Sequence, residues 1–151
     1  MSASSVATTA PLANGELRRQ IGLKLRAMNT CNVVYVMWHV DPSPGVFVSV
    51  KRNLGASTHE QCGARGYDNI PPEESAKAAP LDRDRPHVLR ADLEGSSLRV
   101  TADGVVVWRG HLPIEVFAID GPAGIRSDNG TFDFELRVPG GARPPAPCPR
   151  P

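Results

Sequence analysis

Apolar and polar residues alternate with a period of two along much of the chain, and the alternation first becomes clear at Ile21. Ile21, Leu23, Leu25 and Ala27 are separated by Gly22, Lys24 and Arg26. Successive side chains of an extended chain point to opposite sides, so this spacing predicts a strand with one face in water. The next segment, Asn32 to Val40 (NVVYVMWHV), is apolar at nearly every position and rich in β-branched and aromatic residues. It predicts a central strand covered on both faces. Asp41-Pro42-Ser43-Pro44-Gly45 forces a turn, after which Val46, Val48 and Val50 alternate with Phe47, Ser49 and Lys51. The polar stretch KRNLGASTHEQCGARGYDN then predicts a loop around a short strand near Glu60 to Ala64.

Ile70 to Pro86 is irregular and proline-rich, with Glu73, Glu74 and Lys77 able to support one short helical turn. Beyond it the punctuation sharpens. His87, Leu89, Ala91 and Leu93 alternate with Val88, Arg90 and Asp92; Glu94-Gly95-Ser96 turns the chain; Leu98 and Val100 follow in the same rhythm. Asp103-Gly104 is a strong hairpin signal, because a type I′ turn needs positive φ at both central positions. Val105 to Trp108 returns as a strand, and Ile114 to Ile119 reads as another. Asp128-Asn129-Gly130 marks a second tight turn before Phe132, Phe134 and Leu136, which alternate with Asp133, Glu135 and Arg137. Many short strands with turns between them predict an all-β sandwich or barrel. The expected organisation is a flexible lead-in over residues 1–18, one β domain over 19–138, and a disordered Pro-rich tail over 139–151.

Composition narrows the partners. At 151 residues the chain fits one domain, and a net charge of +1 argues against a nucleic-acid partner, which needs clustered Lys and Arg. No apolar run approaches the ~20 residues of a membrane helix, so membrane insertion is not expected. The opening MSASSVATTA lacks the basic start and apolar stretch of a secretory signal. A cytosolic chain, a piece of a longer chain and an upstream start all remain open. Of the cysteines, Cys31 and Cys62 lie in the structured part and Cys148 in the tail. A Cys31–Cys62 bridge would contribute roughly 3–4 kcal/mol; the alternative is a pair of small buried apolar side chains. The spacings match no zinc pattern.

The run HVLRADLEGSSLRVTADGVVVWRG is similar to a hairpin pair of concanavalin A-like and laminin-G-like sandwiches. GPAGIRSDNGTFDFEL resembles the closing strands of the same superfamily, and bacterial proteins of the 3-keto-disaccharide hydrolase-like group carry similar endings. The likeness covers roughly Ile21 to Arg137. It implies a two-sheet antiparallel β-sandwich of jelly-roll type, an extracytoplasmic setting, and a role among lectins, glucanases, lyases and adhesion modules. Two departures matter. The Glu-x-Asp-x-x-Glu or Glu-x-Asp-x-Glu strand of the sandwich glucanases does not occur, and the opening strand that pairs with the last one must come from the weak segment before Ile21 or be missing.

Lys51, Arg52, Asn53, His59, Glu60, Arg65, Tyr67 and Asn69 gather donors, acceptors and one aromatic ring within a short span. Sugars are gripped by that mixture, with planar polar groups on hydroxyls and a ring on the apolar face of a pyranose. The same residues also suit an ordinary solvated loop. Trp38 reads as core, whereas Trp108, at a strand end, is either core or a second binding platform. Arg126, Asp128 and Asn129 suit a rim site or simply a tight turn; Asn129-Gly130-Thr131 also fits a glycosylation sequon. No cofactor is expected; Asp120 and Asp133 are candidate calcium ligands. The expected function is a non-catalytic carbohydrate-binding or adhesion-type module taking a glycan or polysaccharide. The rivals are a glycan hydrolase or lyase using His59, Glu60 and Arg65, and a structural domain packed against flanking domains of a longer protein.

Overall fold

The segment with the densest run of apolar residues lies at the middle of the larger of two sheets. A computed structural model of the chain describes residues 2–5, 18–41, 43–81 and 85–138. Its first half contains β1 (Ser2–Ser5), β2 (Arg19–Asn29), β3 (Asn32–Asp41), β4 (Gly45–Lys51), a one-turn helix α1 (His59–Cys62), β5 (Tyr67–Asn69) and β6 (Glu74–Ser75). The second half contains β7 (Leu89–Glu94), β8 (Ser97–Ala102), β9 (Val105–His111), a 3-10 turn (Ile114–Ala118), β10 (Gly124–Asp128) and β11 (Gly130–Asp133). Five strands run in the order β10-β2-β3-β4-β5 and four in the order β6-β9-β8-β7, with β1 and β11 forming a separate ribbon.

The inner faces of the two larger sheets share one core. Val34, Val36, Trp38, Val48 and Val50 from the first meet Leu98, Val100, Ala102, Val107 and Trp108 from the second. The protein is thus an all-β, two-sheet antiparallel sandwich. In each sheet, three hairpin-linked strands are flanked by a fourth. β10 lies beside β2 of β2-β3-β4, and β6 lies beside β9 of β7-β8-β9. In the smaller sheet that is the Greek-key order, read backwards; in the larger sheet β5 adds a strand beside β4.

β3 is buried along Asn32 to His39 and covered on both faces, as its composition predicts. The β7-β8-β9 meander follows the predicted alternation, and Asp103 (φ 50) with Gly104 (φ 82) makes the turn that both positive φ values require. Cys31 and Cys62 form a disulfide, which decides between the two readings of those residues.

Several expectations need correction. The alternation of β2 breaks at Arg26 (φ 49), where Leu25 pairs with Val34 but the next pair is Asn29 with Asn32. The extra residues turn Ala27 onto the opposite face, against Val33, Tyr35 and Met37. The expected wet face of β2 is also largely covered, with Gly22 buried under Met37. Glu60 to Ala64 is not a strand, because His59–Cys62 forms the helix α1, closed at its start by the Gln61 side chain accepting from Ser57 and Thr58 N–H. Glu73 to Lys77 makes no helical turn; Glu73 and Ala76 N–H donate to Arg109 and Val107 carbonyls, drawing β6 onto β9. In place of the expected strand at Ile114 to Ile119 there is a 3-10 turn over Ile114–Ala118, with Val116 and the residue after the turn, Ile119, buried at a spacing of three. The final strand stops at Asp133, short of Phe134 and Leu136, and the Asp128-Asn129-Gly130 turn switches partners instead of closing a hairpin. Within the expected flexible lead-in, Ser2–Ser5 pairs with Gly130–Asp133. The rest of that lead-in before Arg18 and the tail over 139–151 lie outside the described residues.

Candidate functional site

The register of the larger sheet determines which side chains share its outer face. Residues directly opposite each other point to the same side. Across the sheet, Asp128, Gln20 and His39 form one row, and Arg126, Gly22, Met37 and Phe47 the next. Lys24, Tyr35, Ser49 and Asn69 form a third row, and Val33, Lys51 and Tyr67 a fourth. Rings and cations alternate over this surface. The Tyr35 and Tyr67 rings stack with centroids 6.0 Å apart, and His39 stacks on Phe47 at 4.2 Å. The Arg126 guanidinium lies 4.7 Å from the Tyr35 ring centre, and Lys51 Nζ lies 4.9 Å from that of Tyr67.

Hydrogen bonds hold this arrangement rigid. Arg126 Nη1 donates to the Tyr67 hydroxyl at 3.2 Å, and its Nε donates to Asp128 Oδ2 at 3.0 Å. Gln20 Nε2 donates to the same oxygen at 2.7 Å. Burial alone would lower the Arg126 value, but Asp128, Tyr67 and Tyr35 outweigh it and leave the guanidinium more firmly charged. Burial, with Tyr67 alongside, pushes the Tyr35 phenol up to about 12. Burial and the neighbouring Arg126 push Arg18 down. Burial and Arg18 push His39 down to about 4, so that imidazole is neutral near neutral pH.

Tyr67 reaches this surface through the loop that follows β4, and most of the polar residues there brace it. Lys51 is buried, and its Nζ donates to the Gly63 carbonyl at 2.5 Å. Asn53 donates from Nδ2 to the Cys31 and Arg65 carbonyls and from its backbone N–H to Asn32 Oδ1. Arg65 donates to the Gln61 carbonyl. The disulfide ties α1 to the start of β3 beneath them. Lys51, Asn53 and Arg65 therefore brace the loop that carries Tyr67. Trp108 is corrected: it is 2% exposed, inside the core, and cannot offer a platform to solvent. Its position follows from a bulge, since Val100 pairs with Trp108 and Thr101 with Val106, leaving Val107 as the extra residue.

Arg52, His59 and Glu60 are exposed at the loop surface, and His59 and Glu60 are neighbours on α1 rather than on a strand. Tyr67, at 38% exposure, and the buried Lys51 are the expected binding residues that join the ring-and-cation face. Arg126 and Asp128, first read as a rim or turn, belong to it too. Tyr35, Gln20 and Lys24 are additions; the polar alternation of β2 opposite a tyrosine carried the signal, but only the register reveals it. Asp120 bonds its neighbour Gly121, and Asp133 lies in the β1–β11 ribbon. Among the described residues, no three His, Cys, Asp or Glu side chains are grouped to hold a metal ion, and no helix is long and apolar enough to cross a membrane. No family model, no curated protein sequence and no solved structure matches the chain.

Proposed function

We propose that this protein is a non-catalytic carbohydrate-binding or adhesion-type module whose site is the outer face of the larger sheet, centred on Tyr67. One observation carries the reading: a half-exposed tyrosine ring is locked by stacking on Tyr35 and bracketed by Arg126 and Lys51. A ring whose orientation is fixed in advance loses little conformational freedom when a pyranose packs on it. Asn69 and Ser49, in the adjoining row, add hydrogen-bonding side chains for sugar hydroxyls.

The proposed setting follows the disulfide. Cys31 and Cys62 are 0% and 1% exposed, and a bridge of that kind suits an oxidising compartment. The finer placement, a concanavalin A-like sandwich of jelly-roll type, is likewise a proposal. Its supports are the Greek-key order of the smaller sheet and the pairing of the first strand with the last, which the residue resemblance calls for.

A specific observation favours a second reading, that of an interaction domain. Val88 and Val105 are 64% and 57% exposed at the Asp103-Gly104 end of the smaller sheet, beside an open apolar hollow of about 330 Å³ lined by Ala79, Pro80 and Val107. A polysaccharide titration of the whole chain against its Tyr67→Ala variant separates the two. The glycan reading expects about a ten-fold loss of affinity in a variant that melts normally. Unchanged binding would move the site elsewhere, and binding to no polysaccharide would favour the interaction domain.

A further inference from the structure

The charges on the outer face of the larger sheet do not balance. Lys24, Lys51 and Arg126 belong to its rows. Against these three cationic side chains the rows contain one carboxylate, Asp128, already shared by Arg126 and Gln20. Asp68, in β5, pairs with Val50 and so belongs by register to the other side of the sheet. Arg19 and Asp41 neutralise each other at the sheet's end. The chain as a whole carries only +1, so the excess is local.

The position of Lys24 matters most. It is half-buried, in the row between Gly124 and Tyr35, and its aliphatic end lies across Gly124. Among the described residues its ammonium has no carboxylate partner within ion-pair distance. It stands in the row next to Arg126, on the same tyrosine. Like-charged groups held together in partly desolvated surroundings repel. An anion seated among them would relieve it, and rings beside a cation pair leave room for a sugar carrying that anion.

Resting on the glycan reading above, we infer that the ligand of this face is an acidic polysaccharide, with its carboxylate or sulfate group held between Lys24 and Arg126 and a sugar ring against Tyr67. Uronate and sulfate ester share the required chemistry, a delocalised anion on a pyranose. The test uses the purified full chain with four probes: polygalacturonate, a heparin-type sulfated polysaccharide, a neutral β-glucan, and a single-stranded DNA oligonucleotide. The expected result is binding to one or both acidic polysaccharides that weakens as salt rises, with little binding to the glucan or the DNA. Which of the two binds identifies the anion.

Lys24→Gln is expected to lose about three- to five-fold in affinity for the acidic probe, with Lys24→Arg restoring it. Arg99→Gln, on the other sheet, should bind as the wild type. Should Lys24→Gln not fold, Lys24→Arg and the salt dependence of the wild type still decide the matter. Stronger binding to the neutral glucan would overturn the acidic ligand while leaving the glycan reading intact. Equal binding to the DNA would replace the sugar with a general polyanion. Binding to no polysaccharide at all would remove both.

Discussion

The two outer faces of the sandwich use the same period-two pattern to opposite ends. On the smaller sheet, charged residues alternate in sign and neutralise one another in water. Arg90 and Arg99 meet Asp92 at 3.1 and 3.7 Å, and Arg109 meets Glu74 at 3.6 Å. Such exposed pairs contribute about 0–1 kcal/mol each and chiefly keep a surface soluble. On the larger sheet, tyrosines, a methionine and a buried histidine occupy the corresponding positions, and the cations outnumber the acids. A face that serves only solubility has no need of stacked rings or unbalanced charge. The difference teaches where to look for a ligand, and it does so without reference to any motif.

Both faces depend on one shared core, so the comparison can be broken outright from inside. Val36→Asp places an unpaired charge between the sheets, at a residue that is 0% exposed. It should cost about 4 kcal/mol or more and abolish both faces together. A cooperative melt at the wild-type temperature would contradict the placing of β3.

Removing the disulfide should sharpen the contrast. Replacing Cys31 and Cys62 by serine should cost about 3 kcal/mol, or roughly 6–12 °C in melting temperature. Amide exchange should accelerate in residues 52–69, which present Tyr67, and stay slow in β7, β8 and β9. Uniform acceleration would mean that the bridge supports the whole sandwich and not the loop.

Acid should act on the larger face through His39. Its folded-state value, about 4, lies below the 6.5 of a free imidazole, so the unfolded chain takes up the proton more readily. Stability is therefore unaffected above pH 6.5 and falls as pH drops from 6.5 toward 4. The loss should reach about 2–3 kcal/mol. Urea midpoints across that range should flatten in His39→Gln; a slope as steep as in the wild type would assign the loss to other groups. The smallest effect belongs to the smaller sheet: Arg99→Ala should change stability by less than about 0.5 kcal/mol, and a larger change would show that its charge ladder is more than a solvated surface.

Much of the sandwich was legible in the sequence, and its illegible parts share a cause. β3 and the β7-β8-β9 meander follow from apolar density, period-two spacing and Asp103-Gly104. Alternation fails wherever an extra residue enters, at Arg26 and at Val107, and each bulge sends later side chains to the face that simple counting does not predict. This is why Ala27 lies on the face opposite to the one its spacing predicts and why Trp108 reads as either core or platform. The helix at His59–Cys62 was readable from Thr58-x-x-Gln61, a capping-box pattern hidden in a glycine-rich stretch. The site was less legible than the fold. Lys51 and Asn53 look like ligand donors because a sequence displays donors, while the backbone carbonyls that accept from them, at Gly63, Cys31 and Arg65, appear only after folding. Arg126 and Tyr35 are 91 positions apart and meet only through the pairing of β10 and β3 with β2.

The central claim is that the outer face of the larger sheet is the binding face. Backbone amide shifts of the isotope-labelled protein, followed while an acidic oligosaccharide is added, test it most directly. The account predicts shifts concentrated at Gln20, Gly22, Lys24, Tyr35, Tyr67 and Arg126, with β7, β8 and β9 undisturbed. Shifts centred on Val88, Val105 and the Asp103-Gly104 turn would contradict it and assign binding to the other end of the molecule.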